Sequence, residues 1–341
     1  FVVKIGDANV EGKIDGNNIS FIIPDGLENL TFAPTIVISD KATITPASGV
    51  EQDFSSPVIY TVTSEDGIVT TKYTVSVSGQ IRDFGFDEWE TIKSSTSGST
   101  EQYDVPKGLY GTSNPGIMTI NEMFGSNLPE LFSYTVSPVE GQSGKAAKLQ
   151  TVYTYMFLNG MDFNALLGGL VPYVTAGSLF TGIFKTDMNN TLNSTKFGVP
   201  FVGEPATFTG YYKYTPGTTY YNNKNEVVAD KTDECSIYAV LYEELLDEEN
   251  NNIPLNGDYN DPDLYIGSSK RIVMKAVLED GTAKSDWTKF SIPFKLLEGK
   301  SYDATKKYYL AIVCSSSAEG DYFMGAPGST LFIDSFTVTP Q

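Results

Sequence analysis

The chain contains no histidine, and this bounds the chemistry open to its 341 residues. Ser-His-Asp and Cys-His nucleophile systems, His-ligated zinc and histidine general bases are excluded. Acid–base work is left to Asp, Glu, Tyr, Lys and Ser. The most constrained carboxylate is Asp334. In the strand expected over 331–338, Phe332, Asp334, Phe336 and Val338 share one phase, because strand side chains alternate. A carboxylate among phenylalanines costs free energy unless it is satisfied. A cation, a Lys or converging backbone N–H groups would do so, as would a half-covered face that lets Asp334 reach water. Cys235 and Cys314 are the only cysteines. They read as two buried thiols, or as a disulfide between neighbouring strands in an oxidising compartment.

Asp and Glu number 42 against 23 Lys and Arg, a formal charge of −19. Such a surface repels nucleic acid and anionic lipid, and tolerates neutral partners and cations. No stretch is long and apolar enough to serve as a transmembrane segment. The sequence opens inside a strand-like run, Phe1-Val2-Val3, with no Met and no signal region. This is expected of a mature or trimmed chain, from which a signal peptide or lipid anchor could have been removed upstream.

The elements that must position these residues are strands. Tyr and Phe together number 41, and Thr, Val and Ile recur throughout. Residues 1–79 read as short strands separated by turns: 19–23 ended by Pro24-Asp25-Gly26, 35–39, 42–45, and a hairpin of 58–63 with 71–77. That spacing predicts a small β-sandwich. Ser78-Gly79-Gln80 is the expected junction.

Residues 80–341 form a larger domain. Thr91–Gln102 reads as a mobile Ser/Thr/Gly loop and Tyr110–Gly116 as a polar turn. Strands are expected at 132–136, 143–151, 175–184, 207–214, 236–242, 271–278 and 287–294. Asp162–Val171 is the best helix candidate, with Asp162 as cap and Gly168-Gly169 weakening it. Residues 243–263 make an acidic, Asn-rich loop. Tyr308–Cys314 is apolar at every position, as a strand buried on both faces should be. Long strands, long loops and little helix predict an all-β fold: an immunoglobulin-like β-sandwich followed by a larger β-sandwich jelly roll of two antiparallel sheets.

The segment ATITPASGVEQDFSSPVIYTVTSEDGIVTTKYTVSV (42–77) resembles the bacterial immunoglobulin-like modules of Bacteroidetes surface and periplasmic proteins, which are usually spacers. FGFDEW (84–89), YGTSNPG (110–116), EGQSGKAAKLQT (140–151), GSLFTGIF (177–184), FTGYYKY (208–214), DWTKFSIPF (286–294) and SSSAEGDYFMGAPGSTLFIDSF (315–336) resemble the Bacteroidetes putative carbohydrate metabolism domain. The resemblance implies a jelly roll, an exported periplasmic or cell-surface lipoprotein, and a glycan as partner. It carries no established catalytic motif. Glu204-Pro205 departs from it where a basic residue is expected. Jelly-roll carbohydrate-binding modules, also similar, imply Asp87 and Asp334 as ligands of a structural calcium, which needs six to eight oxygens; the other reading pairs Asp334 with Lys or backbone N–H groups. No other cofactor is required.

A glycan site needs flat apolar surfaces for sugar faces and polar groups aimed at hydroxyls. The sheet face with Tyr211 and Lys213 fits, as does the one with Tyr238 and Tyr242, with Lys148 and Gln150 in phase on another strand. Trp89, Asn114 and Trp287 could join from strand ends and loops. Each also has an ordinary reading, as sandwich packing or a solvated lysine. The enzyme alternative is a glycoside hydrolase with a pair of Asp/Glu. Glu88 and Glu90 share a phase without a third acid, and the acids of 243–249 read as a solvated run. A scaffold or adhesion protein without a sugar site is the third class. The expected function is glycan binding on the tyrosine-bearing concave sheet of the jelly roll, without cleavage. The sugar and the oligomeric state stay open.

Overall fold

The computed structural model describes residues 1–24, 27, 29–54, 57–80 and 82–341. The chain divides into two compact units: Phe1–Asp83 with Val202–Ala206 and Val338–Gln341, and Phe84–Phe201 with Thr207–Thr337.

The first unit is built on a sheet in the order Lys13–Asp15, Asn18–Ile23, Thr70–Gln80, Val58–Thr63, Thr43–Thr45. Asn18–Ile23 and Thr70–Gln80 pair in parallel; the expected 58–63 hairpin pairs antiparallel. Phe21, Phe54, Tyr60 and Val75 form its core, with Phe21 edge-on to Phe54 at 5.3 Å. The strand expected over 35–39 is not formed. Only Thr35 pairs, with Val2, because Val2–Ile5 gives its ladder to Ala8–Glu11. The expected junction at Ser78-Gly79-Gln80 is itself strand. Asp25 and Gly26 of the expected turn lie outside the described residues.

The second unit carries two antiparallel sheets. The first runs Val136–Glu140, Lys145–Gln150, Thr330–Pro340, Pro205–Thr215, Lys284–Pro293; the second runs Tyr110–Thr112, Ser178–Phe184, Tyr308–Ser315, Ser236–Glu243, Ile272–Val277, Lys295–Leu296. Alternation along Pro205–Thr215 buries Phe208, Tyr212 and Tyr214. Tyr308–Ser315 lies between two neighbours in its sheet and is buried along almost its whole length. Cys235 and Cys314 are buried free thiols, and burial pushes both thiol pKa values up. Among the described residues no helix is long and apolar enough to cross a membrane.

Several local expectations are corrected. Tyr110–Gly116 is not a polar turn: Tyr110–Thr112 is strand. Asn114–Phe124 is a helix with Pro115 in its first turn, where the missing N–H costs nothing. Ile117 and Ile120 give it an apolar face. The predicted helix shrinks to Phe163–Leu166, capped by the Asp162 carboxylate accepting the Ala165 N–H at 3.0 Å. The strand placed at 132–136 begins at Val136. Thr91–Lys93 is paired strand, so the Ser/Thr loop is confined to 94–101. On the last strand the phase is broken. Leu331 and Ile333 are buried, then Phe336 and Val338. Ser335 has a φ of 53°, which inserts an extra residue into the alternation. Phe332 therefore faces away from Phe336.

Candidate functional site

The second sheet carries a cleft of about 260 Å³ on one face. Its floor is set by register. Ser178 pairs with Ser315, which pairs with Ser236, making a polar row across three strands. Two residues along, Phe180 pairs with Val313 and Val313 with Tyr238, making an apolar row beside it. The helix Asn114–Phe124 forms one wall through Gly116, Ile120 and Met123; Leu170–Pro172 and Phe184–Met188 form others. The Ser113 hydroxyl ties this helix to the floor by accepting the Ser178 N–H at 2.9 Å.

The fourth wall is the turn Ala318–Phe323. Gly320 lets it come close: a Cβ there would lie 2.6 Å from the Ala176 Cβ and 2.9 Å from the Ser315 Oγ. Phe323, at the cleft edge, holds a φ of 58°. A bulky residue in the left-handed region is uncommon and is held there only by its surroundings. Asp321 is the one carboxylate among the described lining residues. It accepts the Tyr265 hydroxyl hydrogen, and Tyr322, 3.4 Å from Tyr265 between hydroxyls, stacks on Tyr259 at 5.0 Å. Asp321 is open to solvent on its outer side. Protein on its inner side pushes its carboxyl above the usual Asp range, against the lowering effect of the Tyr265 hydrogen bond. Burial pushes the Tyr238 hydroxyl up as well, and the nearby Asp321 charge adds to this.

Of the residues singled out in the sequence, Tyr238 lies in this cleft. Tyr242, in phase with it, does not, and its assignment is corrected. The segment carrying Leu255 and Ile266 covers that end of the sheet. Tyr242 is wholly buried, donates its hydroxyl hydrogen to the Phe197 carbonyl at 2.6 Å and lies under Arg271 at 5.0 Å. Asn114 is corrected too. It is fully buried, donates to the Val136 carbonyl at 2.8 Å and accepts the Val136 N–H at 2.9 Å. Its amide is spent on the backbone and cannot reach a ligand.

Tyr211, Lys213, Trp287, Lys148 and Gln150 gather instead on the outer face of the first sheet. Lys213 Nζ lies 4.8 Å from the Trp287 ring and 4.9 Å from the Phe332 ring. Lys148 is paired with Phe332, Gln150 donates to Thr330 at 3.3 Å, and Lys289 lies 6.0 Å from the Tyr211 ring. Trp89 donates its indole N–H to the Phe86 carbonyl at 2.6 Å.

Asp87 and Asp334 grip the same hairpin. The Asp334 carboxylate accepts N–H groups of Gln142 at 2.7 Å and Ser143 at 3.1 Å, and the Ser335 hydroxyl at 3.0 Å. Asp87 accepts the Lys145 N–H at 2.9 Å. Donors converge on the Asp334 carboxylate, while a single N–H reaches Asp87. Among the described residues no cluster of three or more Asp, Glu or Cys could hold a metal ion.

Residues 85–339 match a family profile described as "Putative carbohydrate metabolism domain", which spans most of the chain. The chain belongs to this carbohydrate metabolism domain family. Residues 1–77 match "SGBP, N-terminal". A Bacteroides thetaiotaomicron protein whose crystal structure is described as a putative glycoside hydrolase is 32% identical, with 97% of this chain and 92% of that one covered at a TM-score of 0.59. A Bacteroides vulgatus structure of the same description is 26% identical over 74% of this chain and 96% of that one, with a TM-score of 0.54. No curated protein matches. The family's GSLFTGIF and AEGDYFMG segments supply Ser178, Phe180, Gly320, Asp321 and Phe323 to the cleft. Sequence reasoning passed over these residues because Ser315–Ser317 read as a strand stop and the turn after it as spacing.

Proposed function

We propose that the second unit binds a glycan in the cleft, and that the chain is exported to the periplasm or cell surface, where the first unit acts as a spacer. The observation that carries this is the floor. A row of hydroxyls from Ser178, Ser315 and Ser236 runs beside the apolar row Phe180, Val313 and Tyr238. A sugar ring has the same division: C–H groups on its face and hydroxyls at its rim. Asp321 adds a fixed acceptor at the mouth, and its neighbours Tyr259, Tyr265 and Tyr322 offer ring faces. Membership of a carbohydrate-metabolism family and a first unit similar to "SGBP, N-terminal" support the class of ligand.

The test is a glycan array on the full chain, followed by titration calorimetry with the best oligosaccharide on the wild type and on Asp321→Ala and Phe323→Ala. Binding to one glycan class that weakens in both variants supports the reading. Binding unchanged in both removes the cleft as the site.

Hydrolysis is the second reading. Its support is the raised carboxyl of Asp321, which suits a general acid, and the description of the two Bacteroides relatives. Two-carboxylate hydrolysis asks for a second acid facing Asp321 across the cleft; binding asks for none. Reducing-sugar release by the wild type, abolished in Asp321→Asn, would favour the enzyme.

A further inference from the structure

Five aromatic rings outside the cleft are in contact on one surface of the second unit. Tyr153 stacks on Tyr221 at 5.0 Å, and Tyr155 lies 5.6 Å from Tyr153, 5.8 Å from Tyr173 and 6.2 Å from Phe157. We propose that these rings form a second glycan-binding surface, which takes an extended neutral polysaccharide by stacking against its sugar faces.

In the core of the second unit Phe208, Phe290 and Phe336 meet edge to face, at 67° to 84°. The surface rings tilt by only 27° to 43° from one another, with Tyr153 and Tyr221 stacked. Alternation makes this possible. Thr154, Met156 and Leu158 are buried, which turns Tyr153, Tyr155 and Phe157 outward, and Phe157 is 61% exposed.

The rings are held in place before any ligand arrives. Tyr153 donates its hydroxyl hydrogen to the Asn225 side chain at 2.6 Å, and Tyr173 donates to Asp162 at 3.0 Å. Tyr221 exchanges two backbone hydrogen bonds with Gly325, at 2.9 and 3.1 Å. Rings with few rotamers that are already fixed lose little entropy on binding.

The ligand class follows from composition. Four of the five rings are tyrosines, whose polar edges suit a partner that is apolar on its face and hydroxylated at its rim. Asp162 beside the rings and the net charge of −19 disfavour an anionic polymer. The proposal rests on the carbohydrate reading for its ligand class, but its site is separate from the cleft.

The test is native affinity electrophoresis of the full chain carrying Asp321→Ala, which disables the cleft. Gels would contain arabinoxylan, galactomannan, xyloglucan, mixed-linkage β-glucan, dextran or polygalacturonate. We expect at least one neutral polymer to retard the chain and polygalacturonate not to. Tyr155→Ala and Tyr221→Ala should each weaken that retardation about threefold to tenfold in apparent Kd. Their near-ultraviolet circular dichroism outside the tyrosine contribution and their melting cooperativity confirm that they fold. No retardation by any neutral polymer would overturn the proposal, as would retardation equal in both variants. A dimer in sedimentation velocity that both substitutions dissolve would assign the rings to self-association, and also overturns it. Oligosaccharide calorimetry on the Tyr155→Ala chain with Asp321 intact reads the cleft independently, so loss of one site leaves the other measurable.

Discussion

The Asp334 carboxylate accepts the N–H of Gln142, a turn residue 192 positions earlier in the chain, at 2.7 Å. The same oxygen takes the Ser143 N–H. A carboxylate that is 2% exposed is thereby satisfied by backbone donors alone on that oxygen. Asp334→Ala removes the charged acceptor of both amides. It should cost about 1–3 kcal/mol of stability, read by urea denaturation. Asp334→Asn, which keeps one acceptor, should cost less.

Because N–H and O–H donors already satisfy Asp334, melting temperature should be the same in calcium and in EDTA. The check is differential scanning calorimetry of the wild type in both buffers. A calcium-dependent rise that Asp87→Ala and Asp334→Ala both abolish would establish a calcium site at the hairpin.

Asp321 should impose a pH dependence on glycan binding. Its carboxyl sits above the usual Asp range, chiefly through burial, with the Glu319 charge adding to the rise and the Tyr265 hydroxyl opposing it. A raised folded pKa means that the folded state holds its proton to higher pH than the unfolded chain does. Stability from this group is therefore present at low pH and declines as pH climbs from the ordinary Asp range through the raised value. Binding that uses the ionised carboxylate moves the other way. It should weaken as pH falls through that raised value, while an ordinary Asp would still be charged. Titration calorimetry across the acid range checks this, and Asp321→Asn should flatten the profile.

How far the sequence could be read depended on which interaction decided each element. The fully apolar 308–314 run and the alternation of Phe208, Tyr212 and Tyr214 reflect burial alone, and the structure follows both. The last strand did not keep its phase, because one residue, Ser335, adopts a conformation that its side chain does not announce. The helix 114–124 was hidden by Asn-Pro-Gly, which signals a turn until Pro115 is counted as a first-turn residue. The site was half legible. Tyr238 and Tyr242 share a phase, but which of them meets solvent depends on a covering segment that carries Leu255 and Ile266. Strand periodicity contains no information about that cover. Nor could it place Tyr211 and Lys213 on the sheet opposite Tyr238.

Gly320→Ala should separate shape from chemistry at the cleft. The added methyl would meet the Ala176 Cβ at 2.6 Å and the Ser315 Oγ at 2.9 Å. The turn must move outward, taking Asp321 and Phe323 with it. We expect about 1–3 kcal/mol of destabilisation and weakened glycan binding, although no polar group is removed. Thermal melting and calorimetry on the same sample test both halves.

Tyr238 and Tyr242 lie on one strand and should respond differently to loss of the hydroxyl. Tyr242→Phe removes the donor to the Phe197 carbonyl in a fully buried site, leaving that acceptor unpaired. It should cost about 1–3 kcal/mol and leave glycan affinity unchanged. Tyr238→Phe keeps the ring in the cleft floor but deletes its hydroxyl. It should weaken glycan affinity with a smaller effect on stability, since Tyr238 lies in a cavity wall and is not sealed beneath the 252–271 segment. The pair of measurements is a chemical melt and a titration for each variant. If Tyr242→Phe changed affinity and Tyr238→Phe did not, the ligand would have to reach beneath that segment, and the floor would have to be redrawn towards Arg271, whose guanidinium lies 5.0 Å from the Tyr242 ring.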